Sequence, residues 1–238
     1  MDTVDVRGVA VGCATVQEWI DALANCVGGP NAHHHVSMNA AKWVALHRDP
    51  ALRLAVRKAG SVGADGIGIV ALAHGLGTPL PERAPGIDVA RGLLDRARAG
   101  KWRVGLYGAR PAIVEAVHHQ LTAEGIQVVL AVDGYGPAPT EALAKAPPDL
   151  LLVALGTPRA EHFIATHATQ WPGTVVLGVG GAFDVWAGAT PRAPEWSRRW
   201  GLEWAARFVR SPRQRFQRAI LDALHFTAAA AAGWRVPT

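Results

Sequence analysis

Apolar positions recur along this chain in two periods, and from about residue 87 onward the two alternate regularly. Before that point, residues 5–13 form a short apolar run. Residues 15–27 then place Val16, Ile20, Leu23 and Val27 at helical spacing, with Thr15 and Glu18 spaced as a capping box. The segment 33–39, HHHVSMN, reads as extended, and Ala40–His47 and Ala51–Ala59 read as helices divided by Asp49-Pro50. Asp65 stands at the mouth of the apolar run Ile67–Leu72. Helices are expected over Asp88–Ala99, Ala112–Glu124, Thr140–Lys145 and Ala160–Thr169. Strands are expected over Arg103–Tyr107, Gln127–Val132, Leu150–Leu155 and Val175–Val179. Strand, glycine turn and helix in repetition predict an α/β fold, a parallel sheet with helices on both faces.

In such a sheet ligands sit at the carboxyl ends of the strands, where glycine lets backbone amides come close and helix N-termini favour phosphate. Those ends are Tyr107-Gly108, Asp133-Gly134, Gly156-Thr157-Pro158 and Gly180-Gly181. Neither GxGxxG with a following acid nor GxxxxGK[ST] is present, which argues against a nicotinamide site and a P-loop. Asp65 is either a turn or helix cap or an acid/base group at a pocket edge. Asp133 is either a turn residue or a partner for ribose or uracil, and Asp184 is open in the same way. Glu82-Arg83 in a Pro-flanked loop reads as a surface ion pair. Ser37 and Asn39, one strand repeat apart, would offer polar groups to one face.

Charge divides the chain unevenly. Residues 192–218 hold eight arginines and two acids, a net +6, while the whole chain is +5, so the remainder is close to neutral. A single cationic segment of this kind concentrates phosphate or an anionic membrane surface. Its tryptophans and Phe208 recur at helical spacing, as an interfacial helix requires. Nucleic-acid binding rests on the pI of 9.8 alone, with no helix-turn-helix or RNA-binding motif beside it, and is set aside.

The three histidines His33, His34 and His35 do not make a metal set. In an extended segment the middle one faces away from the other two, and no Cys or carboxylate stands at ligand spacing. Partly exposed strand-end histidines are the expectation. Cys13 and Cys26 make neither a disulfide framework nor a zinc site. No basic, apolar leader precedes the body and no run of about 20 apolar residues occurs, so a cytoplasmic location is expected.

Taken in order, the motifs resemble the WecG/TagA/CpsF glycosyltransferases, family 26 of the carbohydrate enzymes, from about residue 5 to 218. Ser37-Met38-Asn39 is similar to the family's Thr-x-Asn element, Asp65-Gly66 to its DG motif, and Glu82-Arg83 with Gly86-Ile87-Asp88 to ERxxGxD. Gly156–Glu161 resembles GxPxQE, with Ala160 in place of the glutamine. Gly178–Asp184 resembles GVGxxFD, Arg192-Ala193-Pro194 the RAP motif, and Gly201–Trp204 the GLEW motif. Pro212-Arg213 and Arg218 resemble the tail. The resemblance implies a Rossmann-like core over residues 1–194 and a basic helical appendage over 195–238 that associates with the membrane and completes the active site. It implies inverting, metal-independent transfer of a sugar, N-acetylmannosamine or a related hexose, from a UDP-sugar to an undecaprenyl-diphosphate-linked saccharide in cell-surface polysaccharide synthesis. The site would lie at the inner membrane face, without a cofactor, and a homo-oligomer is compatible with it.

Asp65 then matches the base, and Arg83, Arg213 and Arg218 are the arginines that would meet the diphosphate. Ser37, Asn39, Gly108, Asp133, Gly156, Pro158, Glu161, Gly181, Asp184 and Arg192 complete the expected substrate contacts. The alternative is a non-catalytic UDP-sugar or anionic-lipid binding protein that keeps the fold. Ala160 removes an amide from the motif, which bears on the choice of donor sugar.

Overall fold

The structure is a computed structural model, and it describes residues 1–190 and 224–237. An antiparallel hairpin, β1 (Thr3–Asp5) and β2 (Ala10–Gly12), opens the chain and turns through Arg7 and Gly8, both at positive φ. Six further strands form one sheet: β3 (His33–Met38), β4 (Ser61–Ala64), β5 (Arg103–Gly108), β6 (Gln127–Val132), β7 (Leu150–Ala154) and β8 (Val175–Gly178). The order is β4-β3-β8-β7-β5-β6, and every neighbouring pair is parallel. The parallel α/β reading is borne out.

Helices α1 (Val16–Ala24), α2 (Ala40–Arg48), α3 (Pro50–Arg57), α4 (Ile67–Gly75), α5 (Gly86–Gly100), α6 (Pro111–Ala123), α7 (Thr140–Lys145), α8 (Arg159–His167) and α9 (Ala182–Trp186) connect the strands. Both arms of the capping box at Thr15 and Glu18 are made, and Pro111 takes the first turn of α6. The apolar run after Asp65 folds as α4. A short apolar run carries no period that separates a buried strand from a helix, so only the structure assigns it.

Strand alternation sorts the core into two faces. Leu150, Leu152, Val175 and Leu177 pack with α1, α5, α6 and Phe183 of α9. Leu151, Val153 and Val176 face the other way, against Ile164 of α8 and Trp171. Val36 and Met38 of β3 pack with Trp43 and Val44 of α2. Residues 224–231 are helical and return to this last cluster, burying Phe226 and Ala229, while Val236 is buried beside the first hairpin. Phe226 meets Trp43 edge-on at 5.5 Å, and the Val236 amide bonds the Arg7 carbonyl. Leu224 and Trp234 remain exposed on this segment. No described helix is long and apolar enough to cross a membrane.

Candidate active site at the β3–β8 crevice

Two neighbouring strands of the sheet send their following helices to opposite faces. After β3 the chain enters α2, whose Lys42 meets Glu161 of α8. After β8 it enters α9, which packs with α6 on the other side. β3 and β8 stay in register only from His33/Val175 to His35/Leu177. Beyond that they part, leaving a crevice between Ser37 and the Gly178–Gly181 turn. A crevice at such a switch point is where an open α/β sheet binds ligands.

Three residues distant in sequence converge on its α5 side. Ser37 is buried at the end of β3, and its Oγ has no hydrogen-bond partner among the described residues. Gly86 opens α5 directly against it. A Cβ built on Gly86 would lie 2.4 Å from Ser37 Oγ and 4.0 Å from Asp65 Oδ2, so only glycine lets α5 come this close. Half-buried Asp65 follows β4, whose end is tied to β3 by the Asp65 amide on the Met38 carbonyl at 2.7 Å. The Ala84 amide in turn bonds the Ala64 carbonyl at 2.7 Å, which lays the 82–86 loop, with Arg83 in it, along the end of β4.

Several sequence expectations are revised in their detail. Asn39 does not simply face the site beside Ser37, because its Oδ1 caps α2 by accepting the Lys42 amide at 2.9 Å. Glu82 accepts the Val16 amide at 2.6 Å and so serves the amino end of α1, in place of a surface ion pair. Asp133 Oδ1 accepts the Tyr135 and Gly136 amides, which is the turn role. Asp184 pairs with Arg110 at 3.5 Å, joining α9 to the start of α6. His34 and His35 are buried, not partly exposed. Burial lowers His34 to about 4 and His35 to about 3, so both are neutral. Ser61 Oγ lies 2.9 Å from both His33 and His35, and Trp19 packs on the His35 ring at 4.6 Å. The strand sends His33 and His35 to the opposite face from His34, as expected.

The glycine turns hold the remaining strand ends close together. Gly108 has φ +119, and a Cβ there would reach 2.5 Å from the Ala154 backbone of β7. Gly156 has φ +72, and the Thr157-Pro158 bond that follows is cis. Gly181 precedes α9, and a Cβ there would meet none of the described residues within 4 Å. Glu161 is 2% exposed in the first turn of α8. Arg192, Arg213 and Arg218 lie outside the described residues.

One residue of this crevice escaped the sequence reading. Lys42 is only 5% exposed, with Nζ 2.6 Å from Glu161 Oε1 and donating to the Ser37 carbonyl at 2.9 Å. A lysine on a short helix has no motif to mark it. Its position three residues beyond an asparagine cap is the one signal available. A cavity of about 520 Å³ lies elsewhere, at the amino ends of β3 and β4, lined by Trp19, His33, Arg57 and Val62 among others. None of Ser37, Asp65, Arg83 or Glu161 borders it.

The model of the glycosyl transferase WecG/TagA/CpsF family matches residues 4–237. The chain belongs to that family. A Bacillus subtilis (strain 168) relative, N-acetylglucosaminyldiphosphoundecaprenol N-acetyl-beta-D-mannosaminyltransferase, is 37% identical over 153 residues, 62% of this chain and 60% of the relative. A Staphylococcus aureus (strain NCTC 8325 / PS 47) relative of the same name is 36% identical over 157 residues, 64% of this chain and 62% of its own. The matched stretch thus spans about three fifths of these curated relatives.

Proposed function

We propose that this chain transfers a hexosyl group, N-acetylmannosamine or a related hexose, from a UDP-sugar to an undecaprenyl-diphosphate-linked saccharide for a cell-surface polymer. The observation that carries the reading is the convergence of Ser37, Asp65 and Gly86 within a few ångströms at the β3–β8 crevice, with Arg83 on the adjoining loop. The acceptor hydroxyl attacks the anomeric carbon from the face opposite UDP. The new C–O bond forms as the bond to the β-phosphate oxygen breaks, and inversion results. Asp65 takes the hydroxyl proton, and UDP leaves with the electron pair.

Charge developing on the diphosphate calls for donors already in place. Arg83 supplies one guanidinium, and Arg213 and Arg218 are the further candidates in this metal-independent reading. Ser37 Oγ, buried without a partner among the described residues, suits a sugar or phosphate oxygen. The acceptor's lipid places the enzyme on the inner face of the membrane. Leu224 and Trp234, exposed on the terminal segment, together with the arginine-rich stretch before it, support contact with anionic lipid there.

The test is UDP release from a panel of UDP-sugars with a short-chain polyprenyl-diphosphate-N-acetylglucosamine acceptor, with and without EDTA. Acceptor-dependent release that survives EDTA and falls on the order of 100-fold or more in Asp65→Asn is the expected result. UDP binding without turnover on any donor would favour a non-catalytic binding protein, and no UDP binding at all would overturn the reading.

A further inference from the structure

Lys42 is held at both ends by the two polar residues expected to meet the donor. Its backbone amide donates to Asn39 Oδ1 at 2.9 Å, and its ammonium donates to the Ser37 carbonyl at 2.9 Å. Glu161 reaches the same ammonium from α8 at 2.6 Å, and its Oε1 also accepts the Thr157 hydroxyl at 3.3 Å. Lysine and glutamate are 5% and 2% exposed, and Glu161 Oε2 is buried with no hydrogen-bond partner among the described residues. Gly178 flanks the pair from β8, where a Cβ would stand 3.6 Å from Glu161 Oε1. The ion pair therefore ties together the end of β3, through the ammonium, and the loop after β7 with the first turn of α8, through the carboxylate, where β3 and β8 part.

Stability is a poor reason for such a pair. Taking two charges out of water costs several kcal/mol per ion, and replacing a buried pair with apolar side chains of like volume is often neutral or stabilising. An incompletely satisfied carboxylate adds to that cost. The same contacts do fix geometry. On the crevice side the Ser37 carbonyl accepts from this ammonium in place of a sheet neighbour, since β8 has already left β3 by that point.

We propose that Lys42, locked by Glu161, is a positioning residue that sets Ser37 and Asn39 across the crevice from the Gly156–Pro158 loop for binding the nucleotide-sugar. This rests on the function proposed above. Its distinctive consequence is that the pair can be removed without loss of stability and with loss of binding.

The experiment uses the full chain with both charges replaced together, Lys42→Met with Glu161→Met, so that neither is left buried alone. Three quantities are compared with wild type: the thermal midpoint, the Kd for UDP and KM against kcat for the UDP-sugar, and amide exchange over residues 37–42. The double variant is expected to keep its midpoint, to lose on the order of 10- to 100-fold in kcat/KM mainly through KM, and to exchange faster over 37–42. Wild-type binding, turnover and exchange in a folded double variant would overturn the proposal. Should the double variant not fold, Glu161→Gln, which keeps the shape and one acceptor but leaves the ammonium without its counter-charge, is read in its place, with a lowered midpoint and the same expected losses in binding and in exchange protection. If that variant also fails to fold, the pair belongs to the fold and the positioning role is refuted. Absence of UDP binding in wild type would instead sink the function reading, while amide exchange still reports on the positioning.

Discussion

Gly86→Ala tests the convergence at Ser37 with one methyl group. The new Cβ would stand 2.4 Å from Ser37 Oγ and 3.0 Å from Ser37 Cβ, whereas ordinary contact begins at 3.4 Å. The overlap with the hydroxyl is thus about 1 Å, and Ser37 cannot swing into solvent because it is 5% exposed on a strand paired to β4. Either α5 lifts by that amount or the end of β3 yields. Overpacking of this kind costs about 1–3 kcal/mol. Alanine recovers at most about 1 kcal/mol of helix propensity, less in a first turn. The net loss of about 1–2 kcal/mol should lower the thermal midpoint by roughly 2–8 °C for a chain of this length. A shift of about 1 Å at Ser37 should cost transfer on the order of 100-fold. Calorimetry and the UDP-release assay read the two effects, and the pair Ser37→Gly with Gly86→Ala supplies the control. Removing the serine side chain makes room for the methyl, so the double variant should recover the lost stability but not the activity. A Gly86→Ala protein of unchanged midpoint and turnover would refute the contact, and with it the assembly of Ser37, Asp65 and Gly86.

Two further outcomes follow from the same geometry. His34 and His35 are held neutral by burial, at about 4 and about 3 against 6.5 when unfolded. Between those values the unfolded chain binds more protons than the folded one, so stability is complete above about pH 6.5 and falls as pH drops toward 4, by up to about 3 kcal/mol for His34. Urea midpoints measured from about pH 7.5 down to about pH 5 should decline, and a flat profile would show that the histidines are not buried neutral. Trp43 is fully buried, bonds the Val6 carbonyl through its indole N–H at 3.4 Å and meets Phe226. Trp43→Ala should cost about 3–5 kcal/mol and open the segment 224–237 to protease, and a wild-type digestion pattern would refute that docking.

Much of this protein is determined by local sequence. The period of the apolar positions, the Thr15–Glu18 box and Pro111 at a helix start depend on neighbours a few residues apart, and the elements they predict are present. Parallel order follows from the strand–helix alternation, because two parallel neighbours need a crossover between them. The ordered motifs are likewise a property of the sequence alone, and they are those of its family.

What the tertiary structure alone decided is what each polar side chain is free to do. Asn39 looks like a site residue and Glu82 like half of a surface ion pair, yet one is engaged at the start of α2 and the other at the start of α1. His34 and His35 resemble surface residues until β3 is enclosed on both faces. Lys42 and Glu161 are 119 positions apart, and no periodicity relates them. Only the divergence of β3 from β8 brings the ammonium, the carboxylate and the Ser37 carbonyl to one point. Sequence fixes which groups are available; burial and strand order decide which of them meet.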